Sequence, residues 1–188
     1  MRVSMRTRLA WQGRRQEGLT LVELLAACAI AAIVLGLGVP AFERFMLDAR
    51  RASHLNAFVR ALHLARSTAI QRALPVAICR SSTGSNCTPG SPDWSVGYIV
   101  FVNRDRDSPP QVDAGEQVLH VAPRVDRLAI SSNRDALLYW PVSLAGTTAT
   151  ISFCDRRGPA AARAVIISRT GRPRVARRDA AGQPIRCT

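Results

Sequence analysis

Hydrophobic and polar positions divide this chain into three stretches. From Leu19 to Phe42 the residues are almost all apolar, and Glu23 is the one ionisable acid among them. As a helix rising about 1.5 Å per residue, that run is long enough to cross the roughly 30 Å core of a bilayer. From Met46 to Ala73 the pattern changes to a stripe. Leu47, Leu55, Phe58, Val59, Leu62, Ala65, Ala69 and Ile70 recur at three- and four-residue steps, with Arg50, Arg51, Arg60, Arg66 and Arg72 mainly between them. This predicts an amphipathic helix that ends at Leu74-Pro75. Beyond Pro75 the runs are short and rich in Val, Ile, Phe, Tyr and Trp, separated by Gly, Pro, Asp and Asn. They predict strands at 76–80, 96–102, 117–121, 128–132, 136–140, 149–153, 164–168 and 173–177. Helix first and strands afterwards imply an α+β fold with antiparallel sheets, the stripe of the helix packing on a sheet of the same chain.

Glu23 is out of place in such a run. A carboxylate near the bilayer centre costs about 2.5–3.5 kcal/mol on insertion scales, so it points to a function and a partner. The segment before it, Met1 to Gly18, holds five Arg and one Glu and is strongly basic, as the cytoplasmic end of an export signal is. Gly18 followed by Leu19-Thr20-Leu21-Val22-Glu23-Leu24-Leu25 resembles the class III leader junction of type IV pilins and pseudopilins. That resemblance implies cleavage after Gly18 by a prepilin peptidase, methylation of the new N-terminus at Leu19, and a glutamate at the fifth mature position, Glu23. Leu19 stands where the family usually has Phe, and Pro40 falls where pilin helices commonly carry a proline. Glu23 is then expected to pair with the N-terminal amine of a neighbouring subunit, so that its charge is neutralised on assembly. Two rivals are an ordinary signal peptide cut near Ala26, Ala27 and Ala29, and a lipoprotein box at Leu25-Ala26-Ala27-Cys28. Either would leave a greasy mature N-terminus from Ile30 to Phe42.

The expected organisation is a leader (1–18), a transmembrane helix half (19–42), an amphipathic helix half (43–74) and a β-rich periplasmic head (75–188). One continuous pilin helix joining the two halves is what the resemblance implies. Asp93-Trp94-Ser95-Val96-Gly97-Tyr98-Ile99-Val100-Phe101-Val102 is similar to a stretch of the pseudopilin subgroup called GspH/FimT. Such a protein sits in the inner membrane, single-pass, and becomes extracellular when assembled into a pilus with other pilins and pseudopilins.

Cys28 lies in the apolar run and reads as a small apolar residue. The other four cysteines form an even set in an exported domain, and four allow three pairings. Cys79–Cys87 closes a short loop and Cys154–Cys187 closes the C-terminal segment, and these are the expected bridges. A zinc site is the rival, but there is no Cys-x-x-Cys pair.

The formal net charge of +13 is unevenly spread. Residues 75–153 hold six Arg and seven acids, whereas Cys154–Thr188 hold nine Arg and two acids. Segregation of this kind concerns partners rather than fold. Two β-prone runs flank Arg169-Thr170-Gly171-Arg172, with Gly171 able to take positive φ in a turn. Arg172 and Arg174 then share a face, Arg169 joins them at the turn, Arg177 and Arg178 continue the basic surface, and Arg156 and Arg157 are candidates to lie nearby. Guanidinium forks match phosphate oxygens in pairs. The chain has no Lys, so the clustering is the evidence rather than the choice of Arg. Gly171-Arg172-Pro173-Arg174 also resembles the G-R-x-R motif of FimT proteins that bind DNA during natural transformation, and Phe153-Cys154-Asp155-Arg156-Arg157-Gly158 is similar to the stretch preceding it there. Cys154–Thr188 contain no aromatic residue and hence no stacking platform for bases. The expected mode is sequence-independent, salt-sensitive contact with the DNA backbone. The alternatives are an arginine edge that merely blocks sheet-to-sheet pairing, and a structural subunit that primes pilus assembly or serves a type II secretion pseudopilus.

Other candidates are weaker. Asn103-Arg104-Asp105-Arg106-Asp107 places oxygen ligands at alternate positions, as a calcium loop does, but lacks the Gly and Glu such a loop needs, so a polar hairpin loop is expected. His54 and His63 are spaced too far for one metal site on a helix, and His120 falls in a strand. No nucleophile–base or paired-carboxylate arrangement, and no cofactor motif, can be argued, so no enzyme is expected.

Overall fold

The computed structural model describes residues 18, 20–141 and 146–187. The chain divides into two units, one ending at Arg44 and one beginning at Phe45. A single helix, α1 (Leu21–Arg72), contributes to both. Thr20 caps it: its hydroxyl accepts the Glu23 amide hydrogen at 3.3 Å, and its carbonyl accepts from Leu24 at 3.1 Å. The N-terminal half of α1 is long and apolar enough to cross a membrane, and the large side chains there, from Leu21 to Met46, are all exposed.

Within the second unit α1 buries Arg51, Leu55, Phe58, Ala61, Leu62, Ala65, Thr68 and Ala69, which recur at three- and four-residue steps along one face. Two positions depart from the expected pattern. Ile70 is 47% exposed, because Ala69 takes the buried position beside it, and Arg51, expected between apolar positions, lies on the buried face.

Eight strands follow: β1 (Val76–Arg80), β2 (Tyr98–Val102), β3 (Val118–Ala122), β4 (Ala129–Ser132), β5 (Ala136–Tyr139), β6 (Ala149–Cys154), β7 (Arg163–Ile167) and β8 (Pro173–Ala176). They form two four-stranded sheets, ordered β3-β2-β1-β5 and β4-β6-β7-β8, and every pairing is antiparallel. Both sheets turn one face to α1. Val76, Ile78, Val100, Leu137 and Tyr139 from the first sheet meet Ile130, Ile151, Phe153, Val165 and Ile167 from the second in a single core with Leu55, Phe58 and Leu62.

The Asp93–Val102 stretch supplies much of that core. Trp94 is fully buried, donates from Nε1 to the Arg134 carbonyl, and meets Phe58 edge-on at 5.9 Å between ring centroids. Tyr98 packs on the same Phe58 ring at 5.1 Å, and burial pushes its phenol up to about 12. Gly97, at φ +112°, lets β2 approach β3 so closely that a Cβ there would sit 2.7 Å from the Ala122 carbonyl oxygen.

Candidate nucleic-acid interface

Strand alternation sorts the C-terminal arginines. In the second sheet Val165 and Ile167 face the main core, whereas Ala164 and Ile166 face away from α1 into a smaller cluster with Cys154, Ala162 and Ile185. Arg174 is opposite Ile166, and Ala176 is opposite Ala164. Arg172, Arg174 and Arg178 therefore belong to the outer face. Arg177 falls on the other face with Arg163, whose guanidinium is lowered from its ordinary value by burial and by the charges of Arg51 and Arg177. The expected surface is thus split: Arg169, Arg172, Arg174 and Arg178 form one exposed group, and Arg177 lies around the edge.

The β7–β8 turn presents this group. The Gly171 amide donates to the Ser168 carbonyl at 2.8 Å, and the Ser168 amide donates to the Arg172 carbonyl at 3.1 Å. Gly171 has φ +71°, as a turn followed by a left-handed residue requires. It is also pressed on the Tyr139 ring, which a Cβ would meet at 2.8 Å, and its carbonyl accepts the Tyr139 hydroxyl at 3.2 Å. The Arg169 carbonyl accepts the Gly146 amide. Gly171 therefore shapes the turn and offers no side chain of its own, while Arg169 and Arg172, both exposed, flank it in the sequence.

Arg157 is committed elsewhere. It donates from Nε to Asp155 Oδ1 at 2.9 Å, and from Nη2 to Asp155 Oδ2 at 2.6 Å and Asp48 Oδ1 at 2.7 Å. Arg51 reaches the same two acids, with Nη1 3.1 Å from Asp155 Oδ2 and Nη2 2.6 Å from Asp48 Oδ1. The Asp155 side chain is 1% exposed. The hydrogen bonds from Arg157 outweigh its burial and hold it down to about 2. Two arginines and two aspartates thus form a neutral bolt between α1 and the segment after β6. Its signal in the sequence was the Asp155-Arg156-Arg157 triplet, but Asp48 and Arg51 lie too far back in the chain to be linked to it by pattern.

The C-terminal segment 178–187 lies across the outer face. It turns at Asp179–Gly182, returns so that Pro184 bridges to Arg178, and buries Ile185 against Ile166 and Ala164. The Cys154–Cys187 bond fastens its end, and a second bond joins Cys79 to Cys87. Cys28 is free and exposed. Of the junction residues, Gly18 is described and Leu19 lies outside the described residues, while Glu23 is exposed in the first turn of α1.

In the β2–β3 connection Asp105, Asp113 and Glu116 bring carboxylate oxygens within 4.8 Å of one another. Two of these lie beyond the Asn103–Asp107 run that the sequence had singled out. His54 is half-buried on α1, and burial lowers it; His63 and His120 are exposed.

A long helix, apolar and exposed at its N-terminal end and packed at its C-terminal end under two antiparallel sheets, defines a pilin-type subunit. Residues 54–171 match the family model of the type II transport protein GspH, and residues 13–39 match the prokaryotic N-terminal methylation motif. The chain belongs to the GspH family, as a minor pseudopilin of the GspH/FimT type anchored in the inner membrane by its N-terminal helix with its head in the periplasm. Two crystal forms of the type IV minor pilin FimU of Pseudomonas aeruginosa are similar to it. One has 19% identity and a TM-score of 0.47 over 68% of this chain and 91% of that one. The other has 20% identity and a TM-score of 0.46 over 72% and 92%. No curated protein matches.

Proposed function

We propose that this minor pseudopilin captures extracellular DNA for natural transformation, binding the phosphate backbone without sequence preference through Arg169, Arg172, Arg174 and Arg178, with Arg177 at the margin. One observation carries this reading. These guanidiniums are exposed and without a carboxylate partner among the described residues, whereas Arg51 and Arg157 are neutralised in the bolt. Among the described residues Arg178 donates only to the Gly182 carbonyl. Three to five phosphate contacts correspond to a log–log salt slope of about −3 to −4.5 on duplex DNA. The test is binding of labelled duplex to the full chain in detergent micelles across a salt series. Arg172→Gln with Arg174→Gln should weaken binding and flatten the slope by about 1.8. An unchanged slope would remove the DNA assignment.

The match to a type II transport protein favours a second reading, a structural subunit that primes or extends a pilus or pseudopilus without touching DNA. Both readings share one maturation: a prepilin peptidase cuts between Gly18 and Leu19 and methylates Leu19, and Glu23 pairs with a neighbouring subunit's terminal amine.

A further inference from the structure

The outer face of the second sheet continues past the arginines of β8. Across one rung Thr150 of β6 is opposite Ile166 of β7, which is opposite Arg174 of β8. On the next, Ser131 of β4 is opposite Ser152 of β6. Ile166 is roofed by Ile185, so the C-terminal segment divides this face in two. On one side stand Arg172, Arg174 and Arg178. On the other lies a groove of about 420 Å³ lined by Ser131, Thr150, Ser152, Asn133, Asp179 and Arg186.

Its charged groups are one arginine and one aspartate. Arg186 is exposed and makes no ion pair among the described residues, and the hydroxyls of Ser131, Thr150 and Ser152 make no hydrogen bond within the described protein. The groove's one acid, Asp179, has an oxygen occupied by the amide hydrogens of Ala181 and Gln183. Pro92, Ala180 and Ala181 also line the groove, and the polar contacts it can offer, a guanidinium beside unengaged hydroxyls, suit a phosphodiester. The distance also suits one strand. Strands lie about 4.8 Å apart, so Thr150 and Arg174, two strands apart, are separated by about 10 Å. A nucleic-acid strand advances about 3.4 Å along the axis per phosphate, so both sides fall within roughly three phosphates.

We propose that this groove is the second half of the DNA track, with Arg186 and the Thr150 and Ser152 hydroxyls holding phosphates of the strand whose neighbouring phosphates lie on Arg172 and Arg174. This rests on the reading of the β7–β8 hairpin as a DNA-binding element. The path crosses the C-terminal segment, and Arg186 is the cation that bridges it.

The experiment measures duplex binding by the full chain in detergent micelles over a salt series. The proteins compared are wild type, Arg186→Gln, Arg186→Lys, Thr150→Val with Ser152→Ala, Arg172→Gln with Arg174→Gln, and Arg124→Gln as a remote exposed control. Arg186→Gln is expected to flatten the slope by about 0.9 and weaken binding about eightfold at about 0.1 M salt. Arg186→Lys should keep the slope, Thr150→Val with Ser152→Ala should lower affinity at an unchanged slope, and Arg124→Gln should match wild type. If Arg186→Gln behaves like Arg124→Gln while the Arg172/Arg174 pair still loses binding, the groove proposal falls and the hairpin reading stands. If wild type binds no DNA, both fall.

Discussion

Gly171 answers two demands at once. Its backbone takes a conformation that L side chains adopt at a cost of about 1–2 kcal/mol, and its missing Cβ leaves room for the Tyr139 ring. Gly171→Ala should therefore lower the thermal midpoint and weaken DNA binding together, because the turn that aims Arg169 and Arg172 is displaced. A variant that melts like wild type would show that the ring yields freely. The positive φ could be anticipated from the turn-like sequence. The close approach could not, because Tyr139 is 32 residues away and joined only by the sheet packing. The arginines teach the same lesson. By composition Arg157 and Arg172 are alike, and what separates them is Asp155, whose carboxylate engages both Arg157 and Arg51.

At the scale of elements, the bolt joins α1 to the segment after β6 and makes stability depend on pH. Asp155 at about 2, against an ordinary value of 3.8, contributes about 2 kcal/mol that is fully present above about pH 4. As pH falls from about 4 towards 2 the unfolded chain takes up the proton first, and that contribution is lost. Chemical denaturation of the full chain in micelles at pH 6 and pH 3 should show the difference, and Asp155→Asn should reduce it, the rest coming from Asp48, which the same arginines hold below its ordinary value. The same substitution leaves the buried Arg51 with Asp48 as its remaining carboxylate among the described residues, and at pH 7 it should destabilise the chain. The C-terminal segment is the other fastened element. Opening the Cys154–Cys187 loop, with its sequence separation of 33, by Cys154→Ser with Cys187→Ser should cost roughly 3–4 kcal/mol. All eight strands were legible to within two residues from period-two runs and turn residues. Their division into two sheets was not. Pairings such as β1 with β5 and β4 with β6 join segments distant in sequence, and local periodicity carries no information about them.

For the whole molecule, charge and apolar surface are kept apart. The apolar half of α1 carries large exposed side chains such as Leu21, Ile33 and Phe42, while the outer face of the second sheet carries arginines. Glu23 is the exception in the apolar half, and the Thr20 cap shows that its backbone amide also serves the helix start. Glu23→Ala should leave the chain cleaved and membrane-inserted but sharply reduce its share in sheared pili, measured by quantitative mass spectrometry of the pilus fraction. Equal incorporation would mean that the acid serves the cap region alone. Intact-mass analysis of the mature chain should give an N-terminus at methylated Leu19.

The bond that fastens residue 187 to residue 154 ties completion of the fold to geography. Thiols stay reduced in the cytosol and join only where an oxidant is at hand. A newly made copy still on the ribosome's side of the membrane thus lacks its last clasp, and the apolar patch around Ile166 has an unlatched lid. Translocation is what supplies the electron acceptor, so the head is finished only after it has left the cytosol.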